Sequence, residues 1–156
     1  MSLESVRIDL AQRAPDLSII VTERSTATVE EAAATHNVEP DQIAKTLGVK
    51  VGSGPQAKTV LIVMAGTKRL DNRLTKDALG GRPHFLNGDE VLALTSHPPG
   101  GVCPFGLSKP LPVYCDESLR AFNIVIPAAG ATNASVMLTP ARLAELTSAQ
   151  WVTVTS

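Results

Sequence analysis

Lys45 is the residue whose type and position are best suited to do chemistry. It lies in the segment 43–51, where side chains alternate between the two faces of a predicted strand. Its own face carries four apolar residues, Ile43, Leu47, Val49 and Val51. Because a lysine is almost never fully buried unless it is paired or functional, its amine should emerge at the rim of an apolar site, where it could bind an anion or a developing oxyanion. From the pattern alone, a stem that covers apolar surface while the amine reaches water is the commoner arrangement.

Residues 97–110 form a predicted loop that contains four prolines and three glycines. Paired glycines let the backbone approach a ligand closely, and prolines stiffen the loop. Four successive N–H groups could therefore line an oxyanion hole, those of Gly100, Gly101, Val102 and Cys103. A rigid turn with a purely structural role is the competing interpretation.

A thiol and an imidazole in the same loop suggest a nucleophile with its base. Cys103 and His97 are six residues apart, so contact between them is possible but not required. An ordinary loop cysteine is the favoured explanation. The second cysteine, Cys115, belongs to no metal-binding pattern, and a disulfide scaffold would need more cysteines. His36 and His84 lie at element ends without ligand-like partners and are interpreted as structural.

Basic residues cluster around one predicted helix: Lys68, Arg69, Arg73, Lys76 and Arg82. A solvated face is the usual meaning of such a cluster, and an edge that contacts phosphates is the functional alternative. The net charge is −1, so the chain cannot coat nucleic acid generally, and any RNA contact must be local and weak. Aromatic residues make up only 3%, which disfavours extended stacking on single strands. A single terminal base could still stack on Phe105 or His97.

The elements that must position these residues mix helices and strands without regular alternation. Helices are predicted over 3–13, 29–35 and 72–79, from Asn87 or Asp89 to Thr95, and from Pro140 onwards. Strands are predicted over 18–22, 43–51, 59–65, 85–86, 111–115, 123–128, 136–138 and 151–154. Thr28 and Glu31 form a capping-box pattern, and Asp71 and Thr139 are further N-caps. This order predicts an α+β fold: a strongly curved mixed β-sheet or barrel with helices packed outside it.

Length and composition predict one compact domain over residues 1–156, since 44% of the residues are hydrophobic and 19% are charged. The segment Met1–Leu10 contains no long apolar stretch, and no run approaches membrane-spanning length. We therefore expect a cytoplasmic protein without a secretory leader and with no membrane partner.

Three segments together resemble a known family. They are TVEEAA at 28–33, QIAKT at 42–46 and GGVCPFG at 100–106. Their order and spacing resemble those of the YbaK/ProX family, which includes Cys-tRNA(Pro) deacylase and is similar to the editing insertion domain of bacterial prolyl-tRNA synthetase. The resemblance runs from about Ser18 to Val154. The IAKT segment and the GGxxP loop are fairly specific together, whereas each is weak alone.

Fold, reaction and partners follow from this resemblance as expectations. It implies a curved mixed sheet with surrounding helices, and hydrolysis of the ester that joins a mischarged amino acid to the 3′ end of tRNA. Lys45 matches the essential lysine of the family, and Gly100 and Pro104 match the ends of its GxxxP loop. Mischarged tRNA, in particular tRNA(Pro), would be the substrate, and a prolyl-tRNA synthetase is a second candidate partner. The chemistry needs neither a metal nor a cofactor.

Two departures from the family pattern bear on the substrate. Cys103 stands where members often carry serine. The segment 130–135 aligns with a region where some members place a carboxylate or a histidine, and here Asn133 or Ser135 occupies that place. The amino acid removed is therefore open among cysteine, alanine, serine and other small residues. The expected substrate-binding residues are Thr28, His97, Pro104, Phe105, Gly130, Asn133 and Ser135.

The expected mechanism needs only modest catalysis, because an aminoacyl ester is already activated. Loop N–H groups from residues 100–103 would stabilise the tetrahedral oxyanion, and Lys45 would hold the terminal nucleotide or the carbonyl oxygen. Water, or a group on the substrate, would attack. Two rival functions stay open: a non-catalytic module that binds aminoacyl-tRNA or a synthetase, and a thiol-dependent hydrolase of a small ester or amide.

Overall fold

The computed structural model describes residues 2–156. Met1 lies outside them, so the first residue of the predicted domain and of the N-terminus expected to lack a leader is not described. The helices are α1 (Ser2–Arg13), α2 (Val29–His36), α3 (Asn72–Leu79), α4 (Gly88–Thr95) and α5 (Pro140–Thr147). The strands are β1 (Ile19–Val21), β2 (Ile43–Val51), β3 (Lys58–Ala65), β4 (Pro83–Phe85), β5 (Val113–Asp116), β6 (Ile126–Pro127), β7 (Ala134–Val136) and β8 (Gln150–Val152). This mixture confirms the α+β class. None of the helices in 2–156 combines the length and apolar character that a membrane crossing requires.

The strands form one large mixed sheet and one small antiparallel pair. The large sheet has the order β4-β2-β3-β5-β8, with β6 beside the start of β2. β2 and β3 run antiparallel, whereas β5 is parallel to β3 and β8 is parallel to β5. β1 pairs with β7 away from this sheet. Of the two expected architectures the mixed sheet is correct, because the strands described for residues 2–156 do not close into a barrel.

β3 lies in the middle of the large sheet and is buried on both faces, as its continuous apolar sequence predicts. From Val60 to Ala65 no residue is more than 3% exposed. One face packs in a cluster with Val6 of α1 and Leu143 of α5, and the other packs against Val49 of β2. Fully burying each large aliphatic side chain contributes roughly 1.5–3 kcal/mol to the free energy of unfolding. The neighbouring strand β2 is therefore paired with a strongly stabilised strand.

Reciprocal caps fix the helices that border β2. The hydroxyl of Thr28 accepts the N–H of Glu31 at 3.1 Å, and the Glu31 carboxylate accepts the N–H of Thr28 at 3.3 Å. This confirms the capping box predicted at the start of α2. The same device begins α4, where Asn87 and Glu90 are the reciprocal pair. The helix therefore starts after Asn87, the first of the two starting points that the sequence allowed.

Strand lengths are where the sequence pattern overestimates regular structure. The predicted strand 123–128 is reduced to β6, since Val125 instead exchanges backbone hydrogen bonds with Leu138 and Pro127 has no N–H to donate. The predicted strand 111–115 becomes β5 only from Val113, directly after another proline, Pro112. Both predictions rely on β-branched residues and overlook that each proline lacks a backbone N–H to donate to a neighbouring strand.

Candidate active site

A small pocket lies where the start of α2, the start of β2 and the glycine–proline loop meet. Its volume is about 150 Å³, which corresponds to roughly five water molecules. Several residues predicted for the site line it: Thr28, Lys45, Gly100, Val102 and Ser135. Small and aliphatic side chains supply much of the remaining wall: Ala27, Val29, Ala32, Ile43, Ala44, Ile126 and Ala128. A pocket of this size and character suits a small ligand group held by few polar contacts.

Lys45 borders this pocket, and its amine is hydrogen-bonded to the backbone of the segment that follows β3. The register of β2 on β3 places it opposite Met64, on the apolar face that the alternation predicts. Its Nζ donates to the carbonyl oxygen of Lys68 at 2.5 Å. Because that partner is a neutral carbonyl, the lysine charge stays available to an anionic group of a ligand.

The surroundings of Lys45 lower the pKa of its amine. Burial lowers the pKa of Lys45, and the positive charge of Arg69 lowers it further, while the carboxylates of Asp41 and Glu30 act in the opposite direction. A partly desolvated cation interacts more strongly with a nearby anion than a cation in bulk water does. The position therefore suits electrostatic stabilisation of a developing negative charge.

The four loop amides proposed for the oxyanion hole differ in what they contact. The N–H of Gly101 donates to the Pro98 carbonyl at 2.9 Å and is already engaged. Gly100 and Val102 line the pocket, and no acceptor within residues 2–156 takes their N–H groups. Cys103 does not line the pocket. The oxyanion-hole hypothesis therefore narrows to the amides of Gly100 and Val102.

Close backbone approach explains why this loop needs glycine. Gly100 has a φ of +85°, and a Cβ there would lie 2.7 Å from the Cβ of Ala27 in the pocket wall. At Gly101 a Cβ would lie 2.7 Å from the backbone nitrogen of Ala131. The N–H of Gly130 also donates to the Gly101 carbonyl at 2.9 Å. The loop is therefore pressed against two other segments and has little room to move.

Helix α1 supports the loop from behind. The Asp9 carboxylate accepts the N–H of Gly106 at 2.8 Å and pairs with Arg13 at 2.6 Å. A Cβ at Gly106 would lie 2.6 Å from backbone atoms of α1, and one at Gly130 would lie 2.7 Å from the carbonyl oxygen of Ser2. A wider groove of about 650 Å³ runs beside α1, but it shares no lining residue with the small pocket. We therefore place the candidate site at the small pocket, where Lys45 is.

The loop thiol and imidazole do meet, but inside the core. The Sγ of Cys103 lies 3.6 Å from Nε2 of His97, and that nitrogen donates to the Phe105 carbonyl at 2.7 Å. All three residues are 0% exposed. Burial raises the pKa of Cys103 to about 12 and lowers the pKa of His97. The thiol therefore stays protonated. Because His97 and Phe105 are fully buried, the structure gives no surface for the base stacking on them that the sequence left open.

Ser135 has a partner that the sequence interpretation missed. It is 2% exposed, and its Oγ lies 3.1 Å from Nε2 of His36. Burial lowers the pKa of His36, which favours the neutral imidazole. A signal was present: Val29 and Ala32 line the pocket, and His36 follows Val29 at seven residues, on the same face of α2. His36 therefore contacts the candidate site through Ser135, although it does not itself line the pocket.

The remaining predicted contacts have structural partners. Asn133 donates from Nδ2 to the Thr22 carbonyl at 3.0 Å, and its own carbonyl accepts the Thr22 N–H at 2.8 Å. It therefore ties β1 to β7 and does not line the pocket. Pro104 is buried and borders the wider groove instead. Asn133, Pro104 and Gly130 shape the loop and its neighbours from outside the pocket.

The predicted basic cluster divides into two parts. Lys68 and Arg69 follow β3 and stand beside Lys45, as the hydrogen bond to Lys68 and the charge effect of Arg69 show. Arg73 and Lys76 are exposed on α3. The Lys68 backbone and the Arg69 charge therefore act on Lys45, whereas Arg73 and Lys76 belong to a solvated helix face. Among residues 2–156, no three His, Cys, Asp or Glu residues come together in a way that could hold a metal ion.

Two known proteins are similar to this chain in sequence. The Bacillus subtilis (strain 168) protein YwhH, described as uncharacterized, is 42% identical over 155 residues, which cover 99% of this chain and 97% of YwhH. A proline--tRNA ligase of Solidesulfovibrio magneticus (strain ATCC 700980 / DSM 13731 / RS-1) is 35% identical over 112 residues, 70% of this chain but only 18% of the ligase.

Solved structures give the same result. A crystal structure whose name proposes a trans-editing enzyme for prolyl tRNA synthetase superposes with a TM-score of 0.88 at 34% identity, covering 99% of this chain and 97% of the other. The family described as aminoacyl-tRNA editing domain matches residues 23–146, which include Lys45, the glycine–proline loop and Ser135. This chain belongs to the aminoacyl-tRNA editing domain family.

Proposed function

We propose that this protein is a trans-acting deacylase that hydrolyses the ester between a small, wrongly attached amino acid and tRNA, in particular tRNA(Pro). The observation that carries the proposal is that Lys45, Gly100 and Val102 line one small pocket, and that the N–H groups of Gly100 and Val102 have no acceptor within residues 2–156. A cation and two amide donors around one small cavity are what a tetrahedral oxyanion needs. The family assignment and the ligase relative support tRNA as the carrier.

In this mechanism the ester carbonyl carbon lies in the pocket and its oxygen points at the Gly100 and Val102 amides. Lys45 exchanges the Lys68 carbonyl for the substrate and stabilises the oxyanion or the adjacent phosphate. Water adds to the carbonyl carbon; the ribose oxygen then leaves and takes up a proton, which gives free amino acid and intact tRNA. No covalent enzyme intermediate is needed, and the buried Cys103 has no part in the reaction.

The amino-acid specificity follows from pocket size. A volume of about 150 Å³ excludes large side chains. Separating substrates that differ by one methylene is worth only about 1–3 kcal/mol in such a pocket. We therefore expect activity on several small residues, alanine, serine and cysteine among them. The cytoplasm, where tRNA is charged, is the proposed place of action, with a prolyl-tRNA synthetase as the proposed partner.

A deacylation screen tests the proposal. tRNA(Pro) charged with Cys, Ala, Ser or Thr is incubated with the wild type, with Lys45→Ala and with Lys50→Ala, an exposed lysine on the same strand. We expect release of at least one amino acid by the wild type and by Lys50→Ala, and its loss in Lys45→Ala. No release from any charged tRNA by the wild type would refute the enzyme.

A second candidate function is a non-catalytic module that binds aminoacyl-tRNA. The hydrogen bond between Lys45 and the Lys68 carbonyl favours it, because the amine already has a partner. This alternative predicts binding of charged tRNA without release of the amino acid. The same screen separates the two, provided that tRNA binding is measured alongside hydrolysis.

A further inference from the structure

A second pocket adjoins the first across a shared wall. Its volume is about 180 Å³, and Thr46 and Val102 line both pockets. The rest of its lining is apolar or small and includes Phe85, Leu86, Val91 and Pro99. A ligand with two parts joined by a short link could therefore occupy both pockets at once.

Phe85 gives this second pocket an aromatic surface. The residue ends β4, the edge strand of the large sheet, where it pairs with Val49 of β2. It is 65% exposed, more than any other large hydrophobic residue between Ser2 and Ser156. An exposed ring beside a cavity is a stacking surface for a planar ligand.

Local packing brings Phe85 to the edge of the site. At Gly48 a Cβ would lie 3.3 Å from both Leu86 Cδ1 and Val91 Cγ2, so these two side chains pack closely on the glycine of β2. The N–H of Leu86 also donates to the Gly48 carbonyl at 3.2 Å. The segment after β4 is therefore hydrogen-bonded to β2 at Gly48, two residues after Thr46, which lines both pockets.

Thr46 adds a polar group to that wall. Its Oγ1 is buried and has no hydrogen-bond partner among the described residues. A buried hydroxyl without a partner costs roughly 1–3 kcal/mol. Rotation of this side chain toward the cavity would let a ligand hydroxyl or ring nitrogen satisfy it. The neighbouring pocket thus has an aromatic surface and one spare polar group.

We propose that the second pocket binds the 3′-terminal adenine of tRNA, stacked on Phe85. The inference rests on the proposed function, because the terminal ribose carries both the ester and this base. The two parts of one terminal aminoacyl-nucleoside then occupy two pockets that share a wall. A nucleobase also fits the apolar lining, and Lys45, with the positive charge of Arg69 near it, lines the adjoining pocket, where it could meet a phosphate of the terminal nucleotide.

The test uses an uncharged acceptor-stem RNA hairpin whose 3′-terminal adenine is replaced by 2-aminopurine, which loses fluorescence when it stacks. We compare the wild type with Phe85→Ala, with the conservative Phe85→Tyr, and with Leu92→Ala, a 46% exposed leucine on α4 that does not line the pocket. We expect quenching and similar affinity for the wild type, Phe85→Tyr and Leu92→Ala. Phe85→Ala should bind about fivefold or more weakly, with the quenching lost, since stacking one base typically contributes at least this much.

Equal quenching and affinity in Phe85→Ala, or no quenching in the wild type, would overturn the subsite. Failure of the proposed function gives a different pattern, because the hairpin carries no ester. If Phe85-dependent quenching is observed but no amino acid is released, the subsite is supported and the proposed deacylase is refuted. If release depends on Lys45 but not on Phe85, the deacylase is supported and the subsite is refuted.

Discussion

The hydroxyl of Ser135 lies 3.1 Å from the imidazole Nε2 of His36, 99 residues earlier in the chain. Ser135 lines the small pocket, whereas its partner approaches from the end of α2. Through Ser135 the pair supplies one of the few polar groups of the cavity, beside Lys45 and three threonines. A hydroxyl whose orientation is fixed by a second side chain distinguishes ligand groups that donate from groups that accept.

The Ser135–His36 pair should influence which amino acid is released. We expect Ser135→Ala to favour alanine over serine as the released residue by about 10-fold, because a ligand hydroxyl would lose its partner. His36→Gln, which can still reach Ser135, should change this ratio less than His36→Ala. Rates on alanyl- and seryl-tRNA(Pro) measure the ratio. An unchanged ratio in Ser135→Ala would show that the residue does not contact the substrate.

Removing the Lys45 charge should slow hydrolysis strongly while the fold stays intact. Loss of one oxyanion-stabilising donor typically costs about 100- to 1000-fold in rate, and Lys45→Ala should fall in this range. Lys45→Arg should recover only part of the rate, since a planar guanidinium does not place its donors where an ammonium does. Single-turnover deacylation and thermal melting are measured together. A rate within threefold of the wild type would remove Lys45 from the mechanism.

A methyl group at Gly100 should close the pocket. Gly100→Ala strains a backbone with φ of +85° and places a Cβ 2.7 Å from that of Ala27. The matched control is Gly54→Ala, where φ is +71° but nothing lies within 4 Å of the added carbon. Both should lose roughly 1–3 kcal/mol of unfolding free energy from strain. Only Gly100→Ala should lose activity, and equal activity in the two variants would contradict the assigned pocket.

Both cysteines should resist alkylation in the folded protein. Cys103 and Cys115 are 0% exposed, and burial raises the pKa of each to about 12. Iodoacetamide reacts with the thiolate, so mass spectrometry should find no label at pH 7.5 until the protein is unfolded. Cys103→Ser should keep the deacylation rate. Labelling of the native protein that stops hydrolysis would instead favour the thiol-dependent hydrolase.

Stability should fall in mild acid. Burial lowers the pKa of His36 and of His97 below that of an unfolded histidine, about 6.5. As the pH falls through and below that value, the unfolded chain binds more protons than the folded one, so the free energy of unfolding decreases. Above it, both states are neutral and this contribution is complete. Melting temperatures from pH 8 to pH 5 should show the decrease, and His36→Gln should make it smaller.

Local patterns predicted the parts of the site that depend on neighbours in sequence. Strand alternation placed Lys45 on its apolar face, and the reciprocal hydrogen bonds of Thr28 and Glu31 are confirmed. The same reasoning failed where tertiary packing decides. Composition does not show that the 97–105 segment turns its thiol and imidazole inward, away from the ligand. The contact of His36 with Ser135 joins segments 99 residues apart, and no periodic sequence pattern extends over that distance.

Helix α1 has a practical consequence for protein engineering. The hydroxyl and carbonyl of Ser2 both approach Gly130, and Asp9 on the same helix accepts the Gly106 N–H in the glycine–proline loop. Gly130 in turn donates to Gly101 of that loop, so chain fused ahead of Ser2 would be attached beside contacts that hold the loop. An affinity tag for kinetic work therefore belongs after Ser156, which is exposed and touches none of these contacts, with a linker between them because the Ser156 N–H donates to the Arg69 carbonyl at 3.2 Å.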